Sequence, residues 1–339
     1  MKKLFLHIGV EKTGTTSIQT YLARNRDVLR ARGVLYPTAP GAQNHIGLAV
    51  LACNRRQRVQ DLLIGLGIES DTDWDAYRER LCEQLQASSA QADVDKIVLS
   101  NEHMSSRLIE AGELQALREA LLPLADEIQV ILYARRQDEV ILSDYSTQVR
   151  SGVCEPFRYL PYYRRKYSYY ELAKLWAGVF GESAMHCRVF DPQHFVEGNL
   201  LTDFMAAIEV PADGSFISGS RENESLSARA LEYLRMLNQH LPAVVDGRAN
   251  VERGPLAHAV SRIPGERARL DGMTAAGILS LFADSNARFA HNYLHGSADP
   301  FSACPDPTVR GNLAALSAAD SVELSAWLWR ASSQWRAAG

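Results

Sequence analysis

The sequence has few cysteines and no strong excess of either charge. Its 339 residues include five cysteines: Cys53, Cys82, Cys154, Cys187 and Cys304. They form no C-x-x-C pair and no metal-ligand spacing with histidine, which predicts reduced, structural thiols. The formal net charge of −4 argues against binding of a nucleic acid polymer through bulk positive charge. Any anion site in this chain must therefore be local.

Long hydrophobic runs are also missing. No stretch approaches the ~18 apolar residues that a membrane-spanning helix requires, so integral membrane insertion is not expected. The first apolar run is about seven residues long, contains His7, and ends before Glu11 and Lys12. It is too short and too polar for the core of a secretory signal peptide. These features predict a cytoplasmic protein.

Short apolar runs alternate with helical patterns along the first two thirds of the chain. The runs at 3–9, 96–100, 128–134 and 185–190 are typical of buried parallel strands. Apolar stripes at spacings of three and four, within 18–29, 74–85 and 114–124, predict helices between them. Strands separated by helices require right-handed crossovers. The pattern therefore predicts an α/β fold, a three-layer parallel sheet with helices on both faces.

The pattern becomes helical after about residue 225. Amphipathic stretches at 225–241, 274–294 and 320–335 predict three helices, with Ser225 or Ser227 as the N-cap of the first. The segment 244–265, which contains dispersed Gly, Pro and Arg, predicts a loop. We therefore expect an α/β core over residues 1–225 and a helical C-terminal region over residues 226–339 that packs on it.

The stretch LHIGVEKTGTTSIQTYL, residues 6–22, has the strand, turn and helix layout of a phosphate-binding loop. Gly9 and Gly14 have the separation of the Walker A motif, G-x-x-x-x-G-K-[ST]. Thr15, however, occupies the position of the motif's lysine, which reaches the terminal phosphates. Lys12 stands three residues earlier, on the loop itself. This position suits a ligand with one phosphate followed by one further group, as in a phosphosulfate.

Other donors surround the expected anion. The helix that starts near Thr15 supplies about half a positive charge at its N-terminus, and the neighbouring hydroxyls donate hydrogen bonds. The residues predicted to bind are Lys12, Thr13, Gly14, Thr15, Thr16 and Ser17. The alternative is a Gly-Thr turn that merely begins a helix after a strand, because short motifs of this kind recur by chance.

The stretch HIGVEKTGTTSIQTYL resembles the 5′-phosphosulfate loop of the sulfotransferases that depend on PAPS (3′-phosphoadenosine 5′-phosphosulfate). A second motif, YARRQDEVILSDY at 133–145, matches the family's arginine after a buried strand and serine eight residues later, here Arg135 and Ser143. The resemblance implies that this pair holds the 3′-phosphate by charge-assisted hydrogen bonds. Arg136 is an alternative to Arg135. The resemblance also implies a P-loop-like sheet topology, and among the branches of the family it favours the carbohydrate-modifying one.

Sulfuryl transfer to a hydroxyl requires a base, and KIVLSNEHMSSR places two candidates after a strand. The resemblance implies a histidine at this point in the cytosolic branch and a glutamate in the carbohydrate-modifying branch. Glu102 and His103 both qualify, and the carbohydrate branch favours Glu102. His45, in GAQNHIGLA, is a further candidate, although a lone histidine before an apolar helix usually has a capping or core role.

The reaction that the resemblance implies is an in-line displacement. The hydroxyl of a carbohydrate or small-molecule acceptor attacks the sulfur of PAPS, and Glu102 or His103 takes its proton. Lys12 stabilises the charge that grows on the bridging oxygen as PAP, the 3′,5′-bisphosphate, leaves. No metal is expected, because a sulfonate carries less charge than a phosphate.

Two rival functions remain open at this point. The first is a magnesium-dependent P-loop kinase or nucleotide hydrolase, for which Asp138 and Glu102 are the available metal-binding carboxylates. The second is a non-catalytic protein that binds PAPS or PAP. The sequence does not predict an oligomeric state.

The acceptor site and the cover of the 3′-phosphate are less defined. The family's cytosolic branch has an RKG-type basic loop over the 3′-phosphate, which this chain lacks; Arg221, Asn223, Arg262 and Arg267 are the candidates to replace it. A tyrosine-rich basic stretch either binds sugar rings or packs on the core. Its tyrosines are Tyr145, Tyr159, Tyr162, Tyr163, Tyr167, Tyr169 and Tyr170.

Overall fold

The computed structural model describes residues 1–217, 226–245, 248–294, 301 and 305–336. Five strands form one parallel sheet in the order β2-β3-β1-β4-β5. They are β1 (Lys3–His7), β2 (Val34–Leu35), β3 (Lys96–Ser100), β4 (Glu127–Ala134) and β5 (Met185–Val189). The order confirms the predicted α/β fold with a P-loop-like sheet topology.

The described residues contain sixteen α-helices. The first eight are α1 (Thr15–Arg24), α2 (Arg26–Arg30), α3 (Gly47–Ala52), α4 (Arg56–Gly65), α5 (Asp71–Gln91), α6 (His103–Arg107), α7 (Ala111–Leu121) and α8 (Gln137–Arg150). The others are α9 (Tyr162–Lys166), α10 (Tyr169–Phe180), α11 (Leu200–Ala207), α12 (Ala228–Asn238), α13 (Arg253–Val260), α14 (Gly272–Ser280), α15 (Ala283–Tyr293) and α16 (Ala318–Arg336). Two further short strands, β6 (Val244–Val245) and β7 (Arg248–Ala249), pair antiparallel.

Both faces of the sheet are buried, as a three-layer arrangement requires. Phe5 of β1 packs on one face in a cluster with side chains of α1 and α11. Leu4 and Leu6 point to the opposite face, because successive side chains of a strand alternate, and they are also fully buried. Helix α10 packs against β4 and β5. Helices therefore cover the sheet on both sides.

The described residues form two compact units that interleave along the chain. The first unit comprises those within 1–135, 166–222 and 284–300, and the second those within 136–165, 223–283 and 301–339. The second unit has its own apolar core, which contains side chains of α8, α12, α13 and α16. The division predicted at residue 225 is simpler than this arrangement, and it stays a prediction.

Several predicted elements differ from the observed ones. The stripe at 18–29 is divided between α1 and α2, because the Asn25 side chain donates to the Tyr21 carbonyl and ends α1. The predicted helix at 274–294 is likewise α14 and α15. The predicted loop at 244–265 contains the paired strands β6 and β7 and helix α13. Ser227 caps α12 by accepting from the amide of Ala230, whereas Ser225 lies outside the described residues.

The structure also bears on the cysteines and on membrane insertion. Cys53, Cys82, Cys154 and Cys187 are free thiols, and Cys304 lies outside the described residues. Among the helices that the structure describes, none combines the length and the apolar character needed to cross a membrane.

Candidate active site

The sheet order brings three loops to one edge. Strand β1 lies between β3 and β4, with His7 in register with Ser100 on one side and Ile131 on the other. In a parallel sheet the carboxyl ends of adjacent strands lie at the same edge, where open α/β sheets bind ligands. The loops that leave this edge carry Lys12 after β1, Glu102 after β3, and Arg135 after β4. The structure thus brings these three predicted residues to one edge.

The loop after β1 has an unusual backbone. Gly9, Lys12 and Gly14 have φ angles of 82°, 71° and 73°. A Cβ atom on Gly9 would lie 2.7 Å from the Cα of Glu102, so only glycine allows the two loops to approach so closely. For Lys12, a residue with a Cβ atom, the left-handed conformation is uncommon and strained. Strain of this kind is concentrated at functional sites.

Helix α1 begins directly at this loop. Gly14 is its N-cap and Thr15 its first residue, as predicted. The amides of its first turn have no partner within the helix, and together with the helix dipole they favour an anion. The hydroxyl of Thr13 is buried and donates to the Val10 carbonyl at 2.5 Å, so it holds the loop in shape. Thr15 is buried, and Thr16 and Ser17 are half-buried.

Arg135 lies against the same loop. Its Nη1 donates to the backbone carbonyl of Lys12 at 3.2 Å, and its guanidinium carbon lies 5.5 Å from the centre of the Phe190 ring. The Tyr169 hydroxyl fixes the Arg135 backbone, because it accepts from the amide at 3.2 Å and donates to the carbonyl at 2.5 Å. A guanidinium is thereby placed directly beside the predicted phosphosulfate loop.

Arg136 and Ser143 belong to the second unit. Arg136 forms a bidentate ion pair with the buried Asp138, with distances of 2.8 and 2.9 Å, which occupies the guanidinium that was the alternative to Arg135. Ser143 is half-buried on α8. Its predicted partnership with Arg135 around a 3′-phosphate stays a prediction.

Glu102 is held by two neutral amides. Gln19 Nε2 donates to its Oε2 at 2.8 Å. Asn44 Nδ2 lies 3.2 Å from Oε1 and 3.3 Å from Oε2. The carboxylate is half-buried and points into the region between α1 and the loop that precedes α3. It therefore has a defined orientation and remains an acceptor for a further proton.

His103 is instead part of an ionic cluster around Glu11. Its Nδ1 lies 3.3 Å from Glu11 Oε1, while Lys166 Nζ lies 2.7 Å from Oε2 and Ser106 donates to Oε1 at 2.8 Å. Burial raises the pKa of Glu11, but the hydrogen bond from His103 and the charge of Lys166 outweigh it and hold that pKa well below its usual range. Burial lowers the pKa of His103, yet Glu11 and the charge of Glu102 bring it above its usual value.

His45 and His7 are structural. His45 is fully buried, its Nδ1 accepts from the Ser100 amide at 3.2 Å, and its Nε2 donates to the Pro37 carbonyl at 2.9 Å. Both ring nitrogens are therefore occupied, and burial lowers its pKa to about 3. His7 is also fully buried, with its Nδ1 2.8 Å from Ser100 Oγ, and burial lowers its pKa to about 3.

The tyrosine-rich stretch is largely packed inside the protein. Four of its seven tyrosines are buried: Tyr145, Tyr163, Tyr167 and Tyr169. Tyr162 is 40% exposed. The core role is thus the observed one for most of these rings. Among the candidates to cover the 3′-phosphate, Arg262 and Arg267 are exposed residues of the second unit, and Arg221 and Asn223 lie outside the described residues.

Three members of this site escaped the sequence analysis: Gln19, Asn44 and Glu11. Gln19 left one signal, a polar residue beside Ile18 on the buried face of α1. Asn44 and Glu11 had none, because their partners come from distant segments. Lys166 belongs to the basic tyrosine-rich stretch, but its contact with Glu11 was not predicted. Within the part of the chain that the structure describes, no group of three or more His, Cys, Asp or Glu side chains is arranged to hold a metal ion.

Comparison with known proteins gives distant matches. No family model matches the chain. An uncharacterized protein of Archaeoglobus fulgidus is 30% identical over 115 residues, which are 33% of this chain and 31% of that protein. The chain thus spans about a third of the length of this relative.

Two solved structures are similar, and both are sulfotransferases, the family that the two motifs resemble. The sulfotransferase from Alicyclobacillus acidocaldarius has a TM-score of 0.44 and 14% identity, over 89% of this chain and 99% of that one. The sulfotransferase domain of the Synechococcus PCC 7002 olefin synthase has a TM-score of 0.34 and 13% identity, over 83% and 94%. At these scores the likeness carries no argument about activity, which must come from the site.

Proposed function

We propose that this protein is a sulfotransferase that moves a sulfuryl group from PAPS to a hydroxyl of a carbohydrate or small molecule. The observation that carries the proposal is the meeting of Lys12, Arg135 and Glu102 at the carboxyl edge of one parallel sheet. Two cations beside a loop that leads into a helix N-terminus suit an anionic donor. The Cα and Cβ atoms of Glu102 lie 2.7 Å from where a Gly9 Cβ would stand, so this carboxylic acid residue is carried directly next to the same loop. No other grouping of the predicted residues supports a reaction as well.

The residues present fit this donor. The first-turn amides of α1 and the Lys12 ammonium would hold the 5′-phosphosulfate, with Thr15, Thr16 and Ser17 nearby. Arg135 would hold the 3′-phosphate. Thr13 contributes by shaping the loop, because its hydroxyl proton is directed to Val10.

Glu102 serves as the base in this proposal. His45 is unsuitable because both of its ring nitrogens are bonded inside the protein. His103 is paired with Glu11, and the pair favours the imidazolium, which has no free lone pair to accept a proton. Glu102 is held by neutral donors and keeps acceptor capacity. Of the three candidate bases, Glu102 is therefore the one that we propose.

The transfer then proceeds in one displacement. The acceptor oxygen forms a bond to sulfur while the bond from sulfur to the bridging oxygen breaks. The hydroxyl proton passes to Glu102, and the electron pair of the broken bond stays on the phosphate, beside Lys12. A preorganised cation at that oxygen lowers the barrier because it meets charge that develops only in the transition state.

The rival functions find less support. A kinase or hydrolase needs a lysine where Thr15 stands and a carboxylate for magnesium. Asp138, one of the two carboxylates available for magnesium, is already in a bidentate pair with Arg136. A non-catalytic PAPS-binding protein would not need an oriented carboxylate facing the loop. We also propose a cytoplasmic location, because Cys53, Cys82, Cys154 and Cys187 are free thiols, as is usual in a reducing compartment.

The test combines binding with transfer. Thermal unfolding is measured with PAP, ATP and inorganic sulfate, since a bound ligand raises the melting temperature by mass action. Transfer of radiolabelled sulfate from PAPS is then measured over panels of glycans and phenols, with and without EDTA. We expect stabilisation by PAP and a labelled product that survives EDTA. Stabilisation by ATP with magnesium but not by PAP would overturn the proposal, and PAP binding without any product would favour the non-catalytic alternative.

A further inference from the structure

The two amides that hold Glu102 come from different parts of the first unit. Gln19 lies on α1, 83 residues from Glu102 along the chain, and Asn44 lies on the loop before α3, 58 residues away. Gln19 donates to one carboxylate oxygen, and Asn44 lies within 3.3 Å of both. Donors on two separate segments fix the plane of the carboxylate as well as its position.

Each amide is itself held by a second contact. The Nε2 atom of Gln19 also lies 3.4 Å from Ser100 Oγ, and the side chain is only 2% exposed. Asn101 Nδ2 donates to Asn44 Oδ1 at 2.5 Å, which leaves the amino group of Asn44 to donate to Glu102. The orientation of Asn44 is thereby determined through both its carbonyl and its amino group, and that of Gln19 through its amino group, which contacts both Glu102 and Ser100.

The loop that carries Asn44 is attached firmly to β3. The amide of His45 donates to the Ser100 carbonyl at 3.1 Å, in addition to the bond from the Ser100 amide to Nδ1. The imidazole also stacks on Tyr36, with ring centres 4.3 Å apart. The buried histidine next to Asn44 therefore acts as a clamp that keeps this amide beside the carboxylate.

From this geometry we propose that Gln19 and Asn44 are positioning residues that orient the Glu102 carboxylate towards the acceptor hydroxyl. The inference rests on the proposed function, because it takes Glu102 as the base. A general base must come within about 2.6–3.2 Å of the proton donor, and a misplacement of about 1 Å can cost a factor of about 100 in rate. Because both donors are neutral amides, they fix the position of the carboxylate without placing a positive charge beside it.

The kinetic test uses Gln19→Leu and Asn44→Leu, with Gln43→Leu as the matched control. Gln43 is the same residue type as Gln19 and the neighbour of Asn44, but it donates to Thr20 Oγ1 at 2.6 Å. We expect kcat to fall about 10- to 100-fold in each of the first two variants, with the Kd for PAP unchanged by calorimetry. The control should keep the kcat of the wild type. A wild-type kcat in both Gln19→Leu and Asn44→Leu would overturn the proposal.

A double variant separates positioning from general damage to the fold. In a Glu102→Gln background there is no base left to orient, so adding Gln19→Leu should cause no further loss of the residual kcat. A second loss of 10-fold or more, on the order of that in the wild-type background, would assign Gln19 a merely structural role. Should Gln19→Leu fail to fold, the half-buried Asn44→Leu is examined in the same two backgrounds, with the same outcomes deciding.

A spectroscopic measurement decides the inference independently of any activity. In protein labelled with 13C at the glutamate carboxyl carbon, the Glu102 signal is assigned by its disappearance in Glu102→Gln. We expect this signal to move in Gln19→Leu and in Asn44→Leu and to stay in place in Gln43→Leu. An unmoved signal in the first two variants contradicts the inference. If the wild-type protein transfers no sulfuryl group while the signal moves as expected, the proposed function fails and the placement of Glu102 by the two amides stands.

Discussion

Two carboxylates close to the same sheet edge, Glu102 and Glu11, have opposite surroundings. Glu102 accepts from the neutral amides of Gln19 and Asn44. Glu11, on the loop after β1, is paired with His103 and Lys166. Two carboxylates can have different roles because their environments differ. A proton acceptor needs an oxygen lone pair that is free to accept, whereas a structural anion needs neighbouring positive charge. Under the proposed function Glu102 is the base, whereas Glu11 is the anion that fixes two cationic side chains.

Removal of the Glu102 charge is the change with the largest expected effect. In Glu102→Gln the amide keeps the size of the side chain but cannot accept the acceptor's proton, so kcat should fall by about 10²- to 10⁴-fold. The measurement is the initial rate of sulfuryl transfer, with PAP binding by calorimetry as the control for an intact donor site. An activity within about threefold of wild type would mean that another group is the base.

Removal of the Lys12 ammonium should have the next largest effect. We expect Lys12→Ala to lower turnover by about 100-fold or more, because the charge on the leaving oxygen loses its cation. Lys174→Ala, which removes an exposed lysine of α10, is the matched control and should retain full turnover. Near wild-type turnover in a folded Lys12→Ala protein would show that the Lys12 ammonium does not stabilise the leaving oxygen.

The Glu11→Gln variant tests whether Glu11 holds His103 as a cation. Loss of the carboxylate removes the hydrogen bond and charge of Glu11, which together with the charge of Glu102 raise the pKa of His103 against the effect of burial, so that pKa should fall. The imidazole signals of His103 are followed by NMR over pH 4 to 9, with His186 on β5 as an internal reference whose titration should not change. We expect an activity loss smaller than that of Glu102→Gln. An unchanged His103 titration would mean that Glu11 does not hold it as a cation.

The smallest effect is a pH dependence of stability. The raised pKa of His103 contributes stability below its unfolded value near 6.5, which is lost as the pH rises through the folded value. The lowered pKa of Glu11 contributes above its unfolded value near 4.5, which is lost as the pH falls through the folded value. The advantage of wild type over Glu11→Gln in unfolding free energy should therefore be greatest between about pH 4.5 and 6.5. Urea unfolding at several pH values measures it, and a difference that does not vary with pH would contradict the ion pair.

The strands and the phosphate-type loop could be predicted because their signals are local. Buried strands appear as short apolar runs, and the run at 96–100 coincides with β3 (Lys96–Ser100). Two-residue strands such as β2 (Val34–Leu35) leave no such pattern. The division of the stripe at 18–29 depended on one side-chain bond from Asn25, which periodicity does not report.

The candidate site was predictable only in part. Lys12, Glu102 and Arg135 each follow a predicted strand, so a parallel sheet was sufficient to place them at one edge. The base could not be chosen from the sequence among Glu102, His103 and His45, because the choice depends on which partners each side chain contacts in the fold. For His45 the sequence favoured a capping or core role over catalysis, and in the fold both of its ring nitrogens are bonded.

The sequence alone determined the alternation of strands and helices, and with it the edge where Lys12, Glu102 and Arg135 lie. Hydrophobic periodicity carries that information because burial on an element follows from the spacing of its own residues. Only the tertiary structure decided that amides 83 and 58 residues away hold Glu102 while His103 and Lys166 hold Glu11. Contacts between distant segments arise when the sheet is assembled, and no local pattern encodes which side chain will meet which.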